Sequence, residues 1–318
     1  MALTMTSFNN NFISSPFPLS TFKLCCSSTS SQLQLNQTPF KHIQNSGVIA
    51  CLRANSKELA MKAARVAISG GISVLEIVVS TPGVFEVLQS LAQEHPTMTL
   101  GVGTVLKVKD AKNATNAGAK FVMSPSTVKS IMHDVQGREV LYIPGVMTPT
   151  EILSAHDAGA KIVKVYPVSA LGGTRYISAL KKPFPHIPMV ASQGITIDLI
   201  GEYIAQGATA VVLSDAIFNK EAMAQNNFDA IYQLASLAAS QGKEAVQCFG
   251  LWIFILSIVT ENYQVHQWKH SDTVNPTFTC FFQDYFTLLQ LNTVNKSKLV
   301  LQMDGSLASV VLGGMRVC

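Results

Sequence analysis

The strongest constraint on the fold is a repeated unit: a short apolar run, a turn of small or hydroxyl residues, and an amphipathic stretch that often ends at glycine. Eight apolar runs occur between Gly47 and Ser240: Val48–Leu52, Val74–Val79, Thr99–Val102, Phe121–Met123, Leu141–Ile143, Ile162–Tyr166, Pro188–Ala191 and Ala208–Leu213. Strands that alternate with helices of this length pair in parallel through right-handed crossovers. The pattern therefore predicts an α/β protein.

The number and spacing of these units favour closure of the sheet. Eight units in about 190 residues predict a single (β/α)8 TIM barrel over residues 43–240, near the lower size limit of roughly 200 residues for that fold. A doubly wound open sheet is the alternative. It is disfavoured because no Gly-x-Gly-x-x-Gly motif follows the first strand.

The N-terminal segment, residues 1–42, has a different composition. It is rich in Ser, Thr, Asn and Gln, and the first acidic residue of the chain is Glu58. Such a segment cannot form a core, and it lacks the continuous apolar region of a secretory signal. We interpret it as a disordered transit peptide. The absence of arginine from it favours the chloroplast stroma over the mitochondrion, and a disordered tail without a targeting role is the alternative.

The C-terminal segment, residues 241–318, departs from the repeated unit. Its apolar run Phe249–Val259 is about 11 residues long, short of the roughly 20 that span a bilayer. We predict no transmembrane helix and interpret the segment as an atypical extension of unknown order, consistent with translated non-coding sequence. A membrane-surface anchor is the alternative.

Composition and spacing exclude several functions. The net charge of +4 is not concentrated in a basic run, so no nucleic-acid partner is expected. Neither the cysteines nor the histidines have metal-ligand spacing, and we predict no metal and no cofactor.

Two buried charges are the main functional signal. Lys164 lies in the apolar run 161–167, and Glu76 lies in the apolar run 74–79. Because side chains alternate along a strand, both predicted barrel strands can direct these charges into the interior, near the carboxyl ends where barrel active sites lie. A lysine–glutamate pair that only holds the core is the alternative, but such a pair recovers its desolvation cost poorly.

A lysine and a glutamate in apolar surroundings indicate a particular chemistry. Burial disfavours the ammonium form, so a free amine becomes available to attack a carbonyl and form a Schiff base. A buried carboxyl group is suited to transfer protons between the intermediates. The sequence therefore predicts a lyase or aldolase acting on a small-molecule keto substrate.

The residues around these charges resemble a known family. The motifs are Ile49–Ser56, Val74–Glu76, Gly101–Val105, Ser124–Pro125, Ile143–Glu151 and Val163–Pro167. Over residues 44–240 the chain is similar to the 2-keto-3-deoxy-6-phosphogluconate (KDPG) and 4-hydroxy-2-oxoglutarate (KHG) aldolases, as a plant plastid-type member. The resemblance implies a homotrimeric class I aldolase of (β/α)8 fold that splits 2-keto-4-hydroxy acids into pyruvate and an aldehyde.

The resemblance also implies residue roles. Lys164 would be the Schiff-base nucleophile and Glu76 the general acid and base. Thr104 would hold the pyruvate carboxylate, and Pro125 would line the pocket. Ser192 stands where a threonine of the family influences the stereochemistry of the aldehyde.

Two departures from the family affect substrate binding. Ser80 replaces an arginine that binds the keto-acid carboxylate in many members. Arg53 is our candidate substitute, since a guanidinium can hold a carboxylate through two hydrogen bonds. A solvated loop residue is the alternative for Arg53.

The second departure lies at the phosphate-binding end. Ser192-Gln193-Gly194 replaces a Thr-Gly-Gly turn, and Leu213-Ser214-Asp215 replaces a Gly-Gly-Ser turn. Gly194 keeps one close backbone approach, but Asp215 would repel a phosphate dianion. We therefore expect a preference for a non-phosphorylated substrate. Two alternatives to an aldolase remain: another imine-forming lyase, such as a decarboxylase or dehydratase, and a catalytically degenerate binding protein.

Overall fold

The structure is a computed structural model that describes residues 5–7, 38–267, 298–303 and 306–311, with side chains described for residues 38–250. The larger unit contains nine parallel strands among its described residues: β1 Val48–Leu52, β2 Val74–Val78, β3 Thr99–Gly103, β4 Phe121–Met123, β5 Leu141–Ile143, β6 Gly145–Val146, β7 Val163–Val165, β8 Met189–Ser192 and β9 Ala210–Leu213. Its helices are α1 Pro39–Ser46, α2 Lys57–Ser69, α3 Val84–Glu94, α4 Val108–Asn116, α5 Lys129–Val135, α6 Pro149–Asp157, α7 Thr174–Lys181, α8 Ile200–Ala205, α9 Lys220–Ala224 and α10 Phe228–Gln267.

The nine strands form one sheet that closes almost completely into a barrel. Their order is β5-β4-β3-β2-β1-β9-β8-β7-β6, so the two ends of the sheet are consecutive in the chain and are separated by Pro144. The strand count therefore corrects the predicted eight. Proline has no N–H to give to a ladder. The predicted fifth run is β5, which pairs with β4, and the two residues after Pro144 form the additional strand β6, which pairs with β7.

The two faces of each strand pack into separate clusters. Ile49, Val74, Phe121 and Ile162 belong to a cluster inside the barrel. Val163 and Val165 belong to the larger cluster between the sheet and the surrounding helices. The alternation along β7 therefore matches the predicted one and directs the side chain between these two valines into the interior.

Helix α1 closes the amino-terminal end of the barrel. The Thr38 hydroxyl accepts a hydrogen bond from the Lys41 N–H as the N-cap, and Ile43 is fully buried in the interior cluster. The His42 Nδ1 lies 2.8 Å from the Thr99 hydroxyl at the start of β3. The folded unit thus begins before residue 43, the predicted start of the barrel, because α1 buries its apolar face there.

Helix α10 continues past residue 240, the predicted end of the barrel. Gly242 approaches Val48 and the Ser46 carbonyl, and Ala245 and Phe249 pack against the outer cluster. This packing extends the helix along the barrel. No helix among the described residues is long and apolar enough to cross a membrane.

A second, smaller unit contains the described residues 5–7, 252–267, 298–303 and 306–311, and thus the carboxyl-terminal part of α10. In it, strand Lys298–Met303 pairs antiparallel with strand Ser306–Val311, which also pairs with Met5–Ser7. Most of the predicted transit segment, residues 8–37, and much of the predicted C-terminal extension, residues 268–297, lie outside the described residues.

Candidate active site

Glu76 is the central residue of β2 and is only 1% exposed. The neighbouring strand β3 leaves room for it, because a Cβ at Gly103 would overlap the Glu76 carboxylate. Among the described residues, the Glu76 Oε2 atom has no hydrogen-bond partner. Buried polar atoms are almost always paired, so an unpaired carboxylate oxygen in a barrel interior indicates a functional group.

Lys164 is the central residue of β7 and is 6% exposed. Its backbone N–H donates to the Pro144 carbonyl at 2.8 Å, which anchors it beside the division between β5 and β6. Its Nζ atom lies 5.5 Å from the centroid of the Tyr166 ring, within the range of a cation–π contact. No carboxylate oxygen of the described residues lies within the 4.0 Å that defines an ion pair with this Nζ. The amine is therefore not fixed in a salt bridge.

Cys51 connects the two groups. It lies directly opposite Glu76 in the pairing of β1 with β2, and it packs against the interior cluster. Burial, and next the charge of Glu76, raise the pKa of the Cys51 thiol well above its ordinary value, and the nearby Lys164 opposes that rise. Of the two sequence-predicted catalytic side chains, Glu76 therefore lies beside this thiol, and Lys164 is near enough to affect its pKa.

The predicted pyruvate-binding residues follow β3 and β4. Thr104 has a φ of 59°, a left-handed conformation that is strained for a β-branched residue. Pro125 is half-buried, and a Cβ at Gly145 would overlap its backbone. The Ser124 hydroxyl before it donates to the Val105 carbonyl, so the two loops are tied together. Both loops are held in fixed positions at the carboxyl end of the barrel.

Arg53 contacts Ser80, which stands where many members of the family have the arginine that Arg53 was predicted to replace. Its Nη1 atom donates to the Ser80 hydroxyl at 2.9 Å, so a guanidinium is held beside the end of β2. Arg53 and Asp215 also line one cavity of about 560 Å³, together with Asn55, Ser214 and Lys220. The structure therefore brings together two predicted binding residues from the loops after β1 and β9.

The loop after β8 keeps a left-handed backbone without the family's first glycine. Gln193 has a φ of 88° and Gly194 a φ of 70°. The Gln193 side chain accepts a hydrogen bond from the Ser169 hydroxyl, and a Cβ at Gly194 would approach the same hydroxyl closely. Ser192, the last residue of β8, is buried. The Gln193 side chain thus lies where the first glycine of the family's turn would leave the backbone N–H groups accessible to a ligand.

Asp215 is 71% exposed, and its carboxylate lies 3.8 Å from the Lys220 Nζ. Among the described residues, no group of three or more His, Cys, Asp or Glu side chains could hold a metal ion.

Sequence reasoning missed three residues of this site: Cys51, Gly103 and Tyr166. The period of two along β1 would have placed Cys51 on the same face as Ile49, but only strand register sets it opposite Glu76. Gly103 belongs to the motif Gly101–Val105, and its contribution to the site is the space that it leaves for the Glu76 carboxylate.

Gly103→Ala is expected to disable the site while leaving the barrel folded. The added methyl group would displace the Glu76 carboxylate, and we expect kcat to fall about 100-fold, as for a mispositioned acid–base group. Steady-state kinetics with the keto-acid substrate expected from the sequence would measure the loss. Gly201→Ala is the matched control, since nothing lies within 4 Å of a Cβ there. Equal activity of the two variants would contradict the expectation.

A family model described as KDPG and KHG aldolase matches residues 41–234 of the chain. Together with the parallel barrel and the lysine and carboxylate inside it, this match defines the class of the protein as an aldolase, which is a lyase. The chain belongs to the KDPG and KHG aldolase family.

Similar proteins agree with that assignment. The 2-dehydro-3-deoxy-phosphogluconate aldolase of Treponema pallidum is 36% identical over 168 residues, which are 53% of this chain and 80% of the relative. The KHG/KDPG aldolase of Escherichia coli K12 is 26% identical over 196 residues, which are 62% of this chain and 92% of the relative. The crystal structure of Legionella pneumophila KDPG aldolase, with pyruvate captured as a covalent carbinolamine, is 27% identical. Its TM-score is 0.59, and the match covers 64% of this chain and 98% of that one.

Proposed function

We propose that the protein is a class I aldolase in which Lys164 forms a Schiff base with the keto group of a 2-keto-4-hydroxy acid. The observation that carries the proposal is that, among the described residues, the Oε2 of buried Glu76 has no hydrogen-bond partner and the amine of Lys164 in the same barrel has no carboxylate within 4.0 Å. Two such groups are costly to bury without a function. The covalent pyruvate carbinolamine of the Legionella aldolase supports this chemistry.

The reaction steps follow from the two groups. The Lys164 amine adds to the C2 carbonyl, and loss of water from the carbinolamine gives the imine. Glu76 as a carboxylate removes the proton of the C4 hydroxyl, the C3–C4 bond breaks, and its electron pair moves toward the imine nitrogen. The aldehyde leaves. The resulting enamine is protonated at C3 by the Glu76 carboxyl group, and hydrolysis releases pyruvate.

The carboxylate of the keto acid needs hydrogen-bond donors near the imine. In this proposal the strained Thr104 turn supplies a hydroxyl and backbone N–H groups, and Pro125 forms the adjacent wall. Arg53 supplies the charge that Ser80 lacks, and its hydrogen bond to Ser80 holds the guanidinium at the end of β2. Ser192, buried at the end of β8, contacts the aldehyde half.

Trapping with borohydride tests the proposal. Incubation with pyruvate and sodium borohydride, followed by intact-mass and peptide analysis, should give one stable adduct on Lys164. Release of an aldehyde from a 2-keto-4-hydroxy acid then separates aldol cleavage from decarboxylation or dehydration. Absence of any adduct would reject the imine mechanism and favour a binding protein without turnover.

We further propose that the enzyme prefers a non-phosphorylated substrate. Gln193 occupies the loop after β8 where glycine would admit a phosphate, and Asp215 adds a negative charge to the loop after β9. Because Asp215 is exposed and lies near Lys220, its repulsion of an anion is screened to about 1 kcal/mol, well below the roughly 4 kcal/mol of a half-buried charge.

Asp215→Ser should therefore raise kcat/KM for a phosphorylated 2-keto-3-deoxy acid only about fivefold and leave that for the unphosphorylated compound unchanged. Parallel kinetics with both substrates would measure the ratio. The proposed preference is tested by comparing kcat/KM of the parent for the two substrates. If the parent turns over the phosphorylated compound much faster, the proposed preference is rejected.

Two assignments rest on resemblance and composition. We infer a homotrimer, supported by the exposed apolar side chains of Leu106 and Met147 beside the carboxyl ends of the strands. Light scattering in solution would test it. We also infer a plastid-type enzyme of the chloroplast stroma from the composition of residues 1–42, and a fluorescent fusion of that segment would test its address.

A further inference from the structure

Cys51 is the one free cysteine among the residues whose side chains are described. It projects from the inner face of β1, and the parallel register sets it directly against Glu76 on β2. Glu76 is 1% exposed and its Oε2 atom has no partner among the described residues. A partly buried thiol and a buried carboxylate in need of a donor are therefore lateral neighbours inside the barrel.

The other elements packed around the carboxylate offer little to hold it. On the opposite side, β3 presents Gly101 and Gly103, which have no side chains to donate. Lys164 on β7 is the amine that the reaction consumes, and Arg53 beyond the end of β1 is bound to Ser80. Of the described groups that face Glu76, Cys51 is the neutral donor with no part in the covalent chemistry.

We propose that Cys51 is a positioning residue for the aldolase reaction. Its S–H donates a hydrogen bond to the Glu76 carboxylate, which holds that carboxylate toward Lys164. This inference rests on the proposed function, because it assigns Cys51 a role only through Glu76.

A thiol suits this task better than an acidic or basic donor. Burial and the adjacent carboxylate raise the pKa of the Cys51 thiol, so it stays protonated and keeps its S–H as a donor. Loss of this donor should therefore leave the Glu76 carboxylate less firmly held toward Lys164.

The test compares Cys51→Val, which removes the donor, with Cys51→Ser, which keeps one. For Cys51→Val we expect kcat to fall about tenfold while KM changes less than about twofold, because the carboxylate is displaced and the substrate-binding residues are not. Cys51→Ser should keep the parent kcat. Ile49→Val is the matched control: it trims the same face of β1, and it should lower thermal stability without changing kcat.

Borohydride trapping with pyruvate separates the two ways of failing. If the parent forms the Lys164 adduct and Cys51→Val keeps the parent kcat, the positioning role is overturned and the aldolase proposal stands. If Ile49→Val lowers kcat as far as Cys51→Val does, the effect is one of packing and the role is also overturned. If the parent forms no adduct, the proposed function fails, and this inference fails with it.

Discussion

Lys164→Met is expected to lower kcat/KM for aldol cleavage by at least about 10⁴-fold and to abolish borohydride trapping of pyruvate. Methionine has a similar length and no amine, so no imine forms, and loss of a covalent nucleophile generally costs this much or more. Cleavage kinetics and intact-mass analysis after borohydride would measure both effects.

Folding should survive that substitution. Replacing a buried charge with an apolar side chain of similar volume is often neutral or stabilising, so we expect the thermal midpoint of Lys164→Met to equal or exceed that of the parent. Lys161→Met is the control, because Lys161 belongs to the same apolar run but is exposed. A trapped adduct in Lys164→Met, at another lysine, would show that a different amine is the nucleophile.

Glu76→Gln is expected to lower kcat by about 10² to 10⁴-fold, the usual contribution of general acid–base catalysis. The amide has nearly the same shape and cannot accept the C4 hydroxyl proton or protonate the enamine. Because the amine is intact, the Lys164 adduct with pyruvate should still form, although more slowly.

Proton NMR in heavy water distinguishes this defect from a loss of binding. The parent should exchange the methyl protons of pyruvate through the enamine, whereas Glu76→Gln should exchange them at a rate at least about 100-fold lower. Glu86→Gln, on the exposed face of α3, serves as the control. Normal exchange in Glu76→Gln would move the acid–base role to another group.

The parts of the fold that the sequence could predict were those with a strict period. Alternation along the run 161–167 correctly separated Ile162, inside the barrel, from Val163 and Val165, under the helices. The same rule anticipated the burial of Lys164 and Glu76, since a charge in the middle of a two-sided apolar strand has no route to solvent.

Features that depend on neighbouring strands could not be predicted from one run at a time. Register alone sets Cys51 against Glu76 and gives Gly103 its task of making room. The two residues after Pro144, which lie outside every predicted run, form the additional strand β6 and change the strand count. The repeated pattern also failed to predict where the folded unit ends. Helix α10 continues past residue 240 because Gly242 approaches Val48 closely and holds the helix along the barrel.

The position of α1 would limit where the proposed transit segment could be removed. Ile43 fills the floor of the barrel whose upper layer holds Lys164 and Glu76, so a cut that leaves this floor intact would have to lie upstream of Thr38. A cut within α1 would open the floor to water. If residues 1–42 direct import as proposed, the position of the cut would therefore also decide whether the barrel stays closed at this end.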